Sequence, residues 1–194
     1  MCGQIGDLFR YQGHMFKVVY TAGDGGNFVN DFFARFHLEP FEDPNGSSLG
    51  YSFVYAVLDS KLIVDKVGVN MWTPSEDWYA PVIGPTILGI EPTRRSDNRG
   101  LFNNNYEGLL YPVPFTGKMM IGRELAPMGD EDFKWNFTYS DYETVIELTF
   151  KEGLLINELD RSAEMKVIRD QERKERAERE QTHRSRKRSF SSDW

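Results

Sequence analysis

Gly23-Asp24-Gly25-Gly26 lies between an alternating apolar stretch and a helical one, where backbone amides and a helix N-terminus can hold phosphate. It lacks the Lys-Ser/Thr of a P-loop and the spaced glycines of a dinucleotide fold, and Asp24 repels anions, so a flexible turn is expected. Arg94, Arg95 and Arg99 can complement a nucleotide or another acidic ligand, although a solvated loop accounts for them equally well. His14, His37 and His183 fall in three separate segments with no carboxylate at ligand spacing, and Asp130-Glu131-Asp132 reads as a solvated link. Neither a metal nor a cofactor is therefore expected. Glu143 and Glu147 share one face of an expected strand, and both are predicted to point to solvent. Gly-x-Ser-x-Gly and His-Glu-x-x-His do not occur.

Cys2 is the only cysteine, which excludes an intramolecular disulfide and makes a reducing compartment the expectation. The opening Met-Cys-Gly-Gln-Ile-Gly resembles the start of class II glutamine amidotransferases. That resemblance implies loss of Met1, Cys2 as nucleophile, and its own α-amine as the base that takes the thiol proton. It covers six residues, and Gln4 stands where the family carries an apolar side chain. The later Arg-Gly-Pro-Asp and Gly-His-Thr-Arg signatures do not occur, and Asn45-Gly46 sits in a turn. An ordinary cysteine after the first methionine is the simpler reading.

Large aromatics carry more information than any catalytic spacing. Trp72, Trp78, Tyr79, Phe102 and Tyr106 crowd the long connection Asn70–Gly108, too many for a solvent-facing loop. They cover the core, line a pocket or form an interface, and with Arg94, Arg95 and Arg99 they make the candidate ligand or partner surface. In the tail, Arg184, Arg186, Lys187 and Arg188 can grip phosphate or an acidic protein surface.

Charge divides the chain in two. Residues 161–194 hold 11 Lys or Arg and 7 Asp or Glu, net +4; subtraction from 23 and 30 leaves 12 and 23 in residues 1–160, net −11. Two units follow: a β-rich acidic domain, 1–160, and a charged helical arm with a basic flexible tail, 161–194. An acidic body repels phosphate, so nucleic acid is an unlikely partner except through the tail. Lacking both a signal-like start and a bilayer-length apolar run, the chain is expected in the cytoplasm, its own or a host's, without a membrane partner.

The elements that must position these groups are mostly strands. His14–Tyr20 alternates, and Thr21–Asn27 breaks the pattern. Phe28, Phe32 and Phe36 then recur at helical spacing, with Asn27 or a neighbour as cap. Gly50–Leu58 and Lys61–Val69 flank Asp59-Ser60, a hairpin that pairs Val57 with Leu62 and Tyr55 with Val64 and reads as central. Short strands are expected at Val82–Ile90, Leu109–Val113 and Lys118–Ile121. Phe133–Tyr139, Tyr142–Phe150 and Leu154–Leu159 read as a meander that sets Trp135 opposite Ile146 and turns at Ser140-Asp141 and at Lys151-Glu152-Gly153. Ser162 caps the last helix, docked by Met165 and Ile168 and continued by pairs such as Glu172–Arg176, each contributing about 0.2–0.5 kcal/mol.

The fold class expected is mainly β with a minor α part: an antiparallel sandwich or partly closed barrel-like sheet, one internal helix and a long charged C-terminal helix. The function expected is non-enzymatic binding of the inhibitor, immunity or phage-accessory type, through a protein partner or self-association. Two other classes stay open: a module sequestering a nucleotide-like small molecule, and an N-terminal-nucleophile amidohydrolase acting through Cys2.

Overall fold

The chain enters the sheet on β1 (Leu8–Tyr11), which the alternation does not flag, and turns at Gln12-Gly13 into β2 (His14–Asp24). This computed structural model describes residues 6–24, 28–42, 49–74, 79–94, 102–127 and 137–190; for residues 79 and 180–190 it describes the backbone alone. Then come α1 (Phe28–Arg35), β3 (Tyr51–Leu58) and β4 (Lys61–Val69). A small two-stranded sheet joins β5 (Trp72–Pro74) to β6 (Tyr79–Pro81), and β7 (Asn104–Pro112) and β8 (Thr116–Leu125) return to the main sheet. After a 3-10 turn at Tyr139–Asp141, the chain closes with β9 (Tyr142–Lys151), β10 (Leu154–Asp160) and α2 (Ser162–Phe190).

The large sheet has eight strands in the order β10-β9-β8-β2-β1-β3-β4-β7. It is mixed rather than antiparallel, because β1 pairs with β3 in parallel. The cause is the end at which the chain turns back. Since β2 runs antiparallel to β1, it delivers α1 to the end where β1 began, and β3 must start from there. The β3–β4 hairpin has the predicted register, Tyr55 with Val64 and Val57 with Leu62, and is interior to the sheet. β10 also pairs with β4 at Leu154 and Lys61, which ties the first strand of the order to the seventh.

Phe53, fully buried on β3, centres the interior. Its ring lies 5.3 Å from Phe32, 5.7 Å from Phe33, 5.6 Å from Tyr51 and 5.8 Å from Tyr55, centroid to centroid. Phenylalanines at helical spacing on α1 therefore meet aromatics at strand spacing on β3, and such pairs add about 0.5–1.5 kcal/mol each beyond burial. Phe9, Ile121, Leu148 and Phe150 extend this core across the sheet. A second, smaller core of Met120, Tyr142, Val145 and Met165 lies where α2 packs on β9 and the 3-10 turn.

Three sequence expectations change here. β9 pairs with β8 on one side and β10 on the other, so no edge is left for Phe133–Tyr139. Ile146 faces Ile121; Trp135 lies outside the described residues, and Ser140-Asp141 belongs to the 3-10 turn. The strand expected to break at Thr21 instead runs to Asp24, pairing Gly23 with Gly117. A Cβ on either glycine would strike the opposing backbone, so Gly23 serves close strand approach; Gly25, Gly26 and Asn27 lie outside the described residues. Of the strand expected at Val82–Ile90 only the bridge between Ile87 and Ile90 forms.

The turn between β9 and β10 leaves no room for a side chain at Gly153. Glu152 and Gly153 have φ of 51° and 79°, and a Cβ on Gly153 would stand 2.5 Å from the Val113 carbonyl oxygen. Gly153→Ala is expected to lower stability by about 1–3 kcal/mol, from a strained φ plus the displaced contact. Urea denaturation with an unchanged slope and a lower midpoint is the signature.

Candidate functional site: the 70–106 connection and the root of the C-terminal helix

Phe102-Asn103-Asn104-Asn105-Tyr106 leads into β7, and its three asparagines organise the long connection. An asparagine amide both donates and accepts, so one side chain can replace a missing strand neighbour. Asn103 does so reciprocally: Met71 N–H donates to its Oδ1 at 3.0 Å, and its Nδ2 donates to the Met71 carbonyl at 2.8 Å. Asn104, fully buried, accepts from Gly84 N–H at 2.7 Å and donates to the Val82 carbonyl at 2.9 Å. Asn105 bridges Thr93 through its backbone, 2.9 and 3.1 Å in the two directions. Tyr106 donates its hydroxyl to the Pro85 carbonyl at 2.8 Å, and burial pushes that hydroxyl up to about 12.

Residues 82–93 are thus held to one strand end by side chains. Within them Ile87 and Ile90 exchange backbone bonds of 2.9 and 2.8 Å around Leu88-Gly89, a two-residue turn with φ of 50° and 81°. Glycine, asparagine and aspartate are the residues such turns favour. Leucine in left-handed backbone costs about 1–2 kcal/mol, and here it is also exposed.

The candidate surface read from the sequence is only partly brought together. Trp72 packs its ring 6.4 Å from Phe41, and its Nε1 is buried with no hydrogen-bond acceptor among the described residues. Phe102 lies across Gly68 on β4, where a Cβ would strike its ring. Tyr106 is fully buried and belongs to the core, not to a surface. Arg94 is exposed, with Nη2 donating to the Pro81 carbonyl at 3.3 Å. Tyr79 pairs through its backbone with Pro74. Trp78, Arg95, Arg99, Cys2 and Asp130–Asp132 lie outside the described residues.

A second surface forms where α2 leaves the body. Arg161 N–H donates to the Val145 carbonyl at 2.9 Å, and Val145 N–H donates to Ser162 Oγ at 3.0 Å. Ser162 is itself held by Asp160, whose Oδ1 accepts its N–H at 2.8 Å. Met165 packs under the helix, and Arg169, 7% exposed, donates Nη1 to the Ser140 and Tyr142 carbonyls at 2.8 and 2.9 Å. Residues 170–179 are all exposed. The side chains of Arg184, Arg186, Lys187 and Arg188 lie outside the described ones.

Glu147, expected in solvent, is 8% exposed beneath this root. The outer face is covered by the helix, so the carboxylate pairs with Lys118 at 2.8 Å and Arg161 at 3.2 Å. Those partners, Lys118 foremost, hold its pKa below the ordinary value. Asp7 shows the opposite balance. Burial raises its pKa, while the Phe53 amide, 2.9 Å from Oδ1, and the Tyr55 hydroxyl pull it back. Asp7 thereby anchors β1 to β3 and lifts the buried Tyr55 hydroxyl well above its usual range, after desolvation as the main cause. Among the described residues no group of three or more His, Cys, Asp or Glu is placed to hold a metal ion.

No protein-family model, no curated protein and no solved structure matches this chain.

Asn104→Ala should cost about 2–3 kcal/mol, because Gly84 N–H and the Val82 carbonyl are left without partners in the interior. Hydrogen exchange at Gly84 should speed up along with the loss of stability. Glu147 contributes stability above its unfolded-state value of 4.5, lost as pH falls through its lowered folded value. Glu147→Gln should therefore be less stable than wild type at neutral pH, with the gap closing on acidification; a gap that stays constant from pH 7 to pH 3 contradicts that role.

Proposed function

We propose that this chain is a non-enzymatic binding protein of the inhibitor, immunity or phage-accessory type. It works in the cytoplasm and engages a protein partner or a second copy of itself through the 70–106 connection and the C-terminal arm. We read the β10–β4 contact as closing the sheet into a partly closed barrel, a rigid support for both. The observation that carries the proposal is the contrast along α2: Arg169 is buried against two carbonyls, while the next ten residues are exposed, Ala177 their only apolar side chain. A helix anchored so firmly and then left without an apolar face gives the body little past its root, and suits contact with something else. The acidic body favours protein over nucleic acid as that partner. Among the described residues no helix is long and apolar enough to cross a membrane.

Deleting residues 174–194 keeps the docked root intact. The shortened chain should melt as the full chain does while losing self-association in light scattering or capture of its partner. Unchanged scattering together with unchanged capture leaves the arm without a role.

A further inference from the structure

Resting on the reading of the chain as a binding protein, we propose that residues 82–93 form its recognition loop, with Leu88 and Ile83 as anchors for a basic protein partner that offers an apolar pocket. Ile83 is 65% exposed and Leu88 54%, whereas Ile87 between them is fully buried. The loop therefore sorts its apolar side chains, some into the core and two into solvent. Five residue-to-residue steps separate the anchors, at most about 18 Å, so one interface can cover both.

The backbone of this loop is ordered before any partner arrives. Asn104 holds Val82 and Gly84, Tyr106 holds Pro85, Asn105 holds Thr93, and the Ile87–Ile90 pair closes the tip. Preorganisation of this kind removes the entropy that a free loop loses on binding. Leucine at φ 50° works against the turn's stability, a local conflict of the sort that collects at functional sites. Charge selects the partner class. Residues 1–160 carry net −11, and Glu91 is exposed beside the turn; exposed Arg94, just past the loop, keeps its charge while Nη2 donates to the Pro81 carbonyl, and is outweighed by the acidic body. A second copy meeting this loop with its own acidic body would be repelled, and a pocket rimmed by Lys and Arg is steered toward the loop.

The test places a photo-crosslinking benzophenone residue at position 88 and, as control, at exposed Leu154, in full-length protein made in its own cells. The residue at 88 should trap one basic protein that the residue at 154 does not. Purified, that protein should bind Leu88→Asn and Ile83→Ser at least tenfold more weakly than wild type, with association slowing as salt rises. Leu88→Asn, or Leu88→Gly if needed, should melt at or above the wild-type temperature, since both residues tolerate the left-handed turn. Trapping nothing beyond the control, trapping a second copy, or equal affinity for wild type and Leu88→Asn overturns the proposal. Capture that is lost on deleting residues 174–194 but indifferent to Leu88→Asn removes the loop and keeps the binding reading. Capture indifferent to both leaves neither the loop nor the arm as the binding surface and overturns the proposal.

Discussion

Four backbone hydrogen bonds around Gly153 hold together segments from three distant parts of the chain. Leu62 N–H donates to Gly153 O at 2.7 Å, Gly153 N–H to Phe115 O at 2.8 Å, Val113 N–H to Leu62 O at 3.0 Å, and Leu155 N–H to Ser60 O at 2.7 Å. Bringing positions 60–62, 113–115 and 153–155 into one knot costs loop-closure entropy that grows only slowly with loop length. Once made, the knot joins β10 to β4, and the interior between them fills with aromatics from β1, β3 and α1. The β1–β3 pair lies among the strands between those the knot joins, and α1 packs its phenylalanines on the same interior.

Polar side chains do the remaining positioning. Asn104, Arg169 and Glu147 are each buried, and each meets partners that accept only one geometry. An apolar side chain in any of these places would add burial without fixing a register, since dispersion has little direction. The paired Glu147 is not in itself a source of large stability, because desolvation offsets much of what Lys118 and Arg161 return. Its effect is to set where the helix begins. Asn103 and Asn104 act likewise on the connection, giving an irregular segment the bonding of a strand without adding one.

Leu88 is the exception to this consistency. Elsewhere among the described residues a positive φ in a tight turn falls on polar residues or glycine, as at Asp59-Ser60 and Glu152-Gly153; at the tip of the 82–93 loop it falls on an exposed leucine. Leu110 shares the same φ of 50° and the same 54% exposure on β7, with Gly108 providing a bulge beside it.

Local periodicities were legible in the order of residues: the Phe28 helix, the Asp59-Ser60 hairpin with its register, the strands from Tyr142 and Leu154, and the start of the final helix. Each depends on neighbours within about ten residues, where side-chain spacing and turn chemistry suffice. Partner choice at long range was not legible. Tyr142–Phe150 reads equally well beside Phe133–Tyr139 or beside β8, because alternation marks a face and not a neighbour. The same limit applied to the site. Trp72 and Phe102 stand out by type, but the asparagines that organise the connection look like loop residues until their hydrogen-bond partners, twenty to thirty-three positions away, are in place. Only the tertiary structure decided that Glu147 is covered, that Tyr106 is core, and that Leu88 is not, since burial is a property of what packs above a residue.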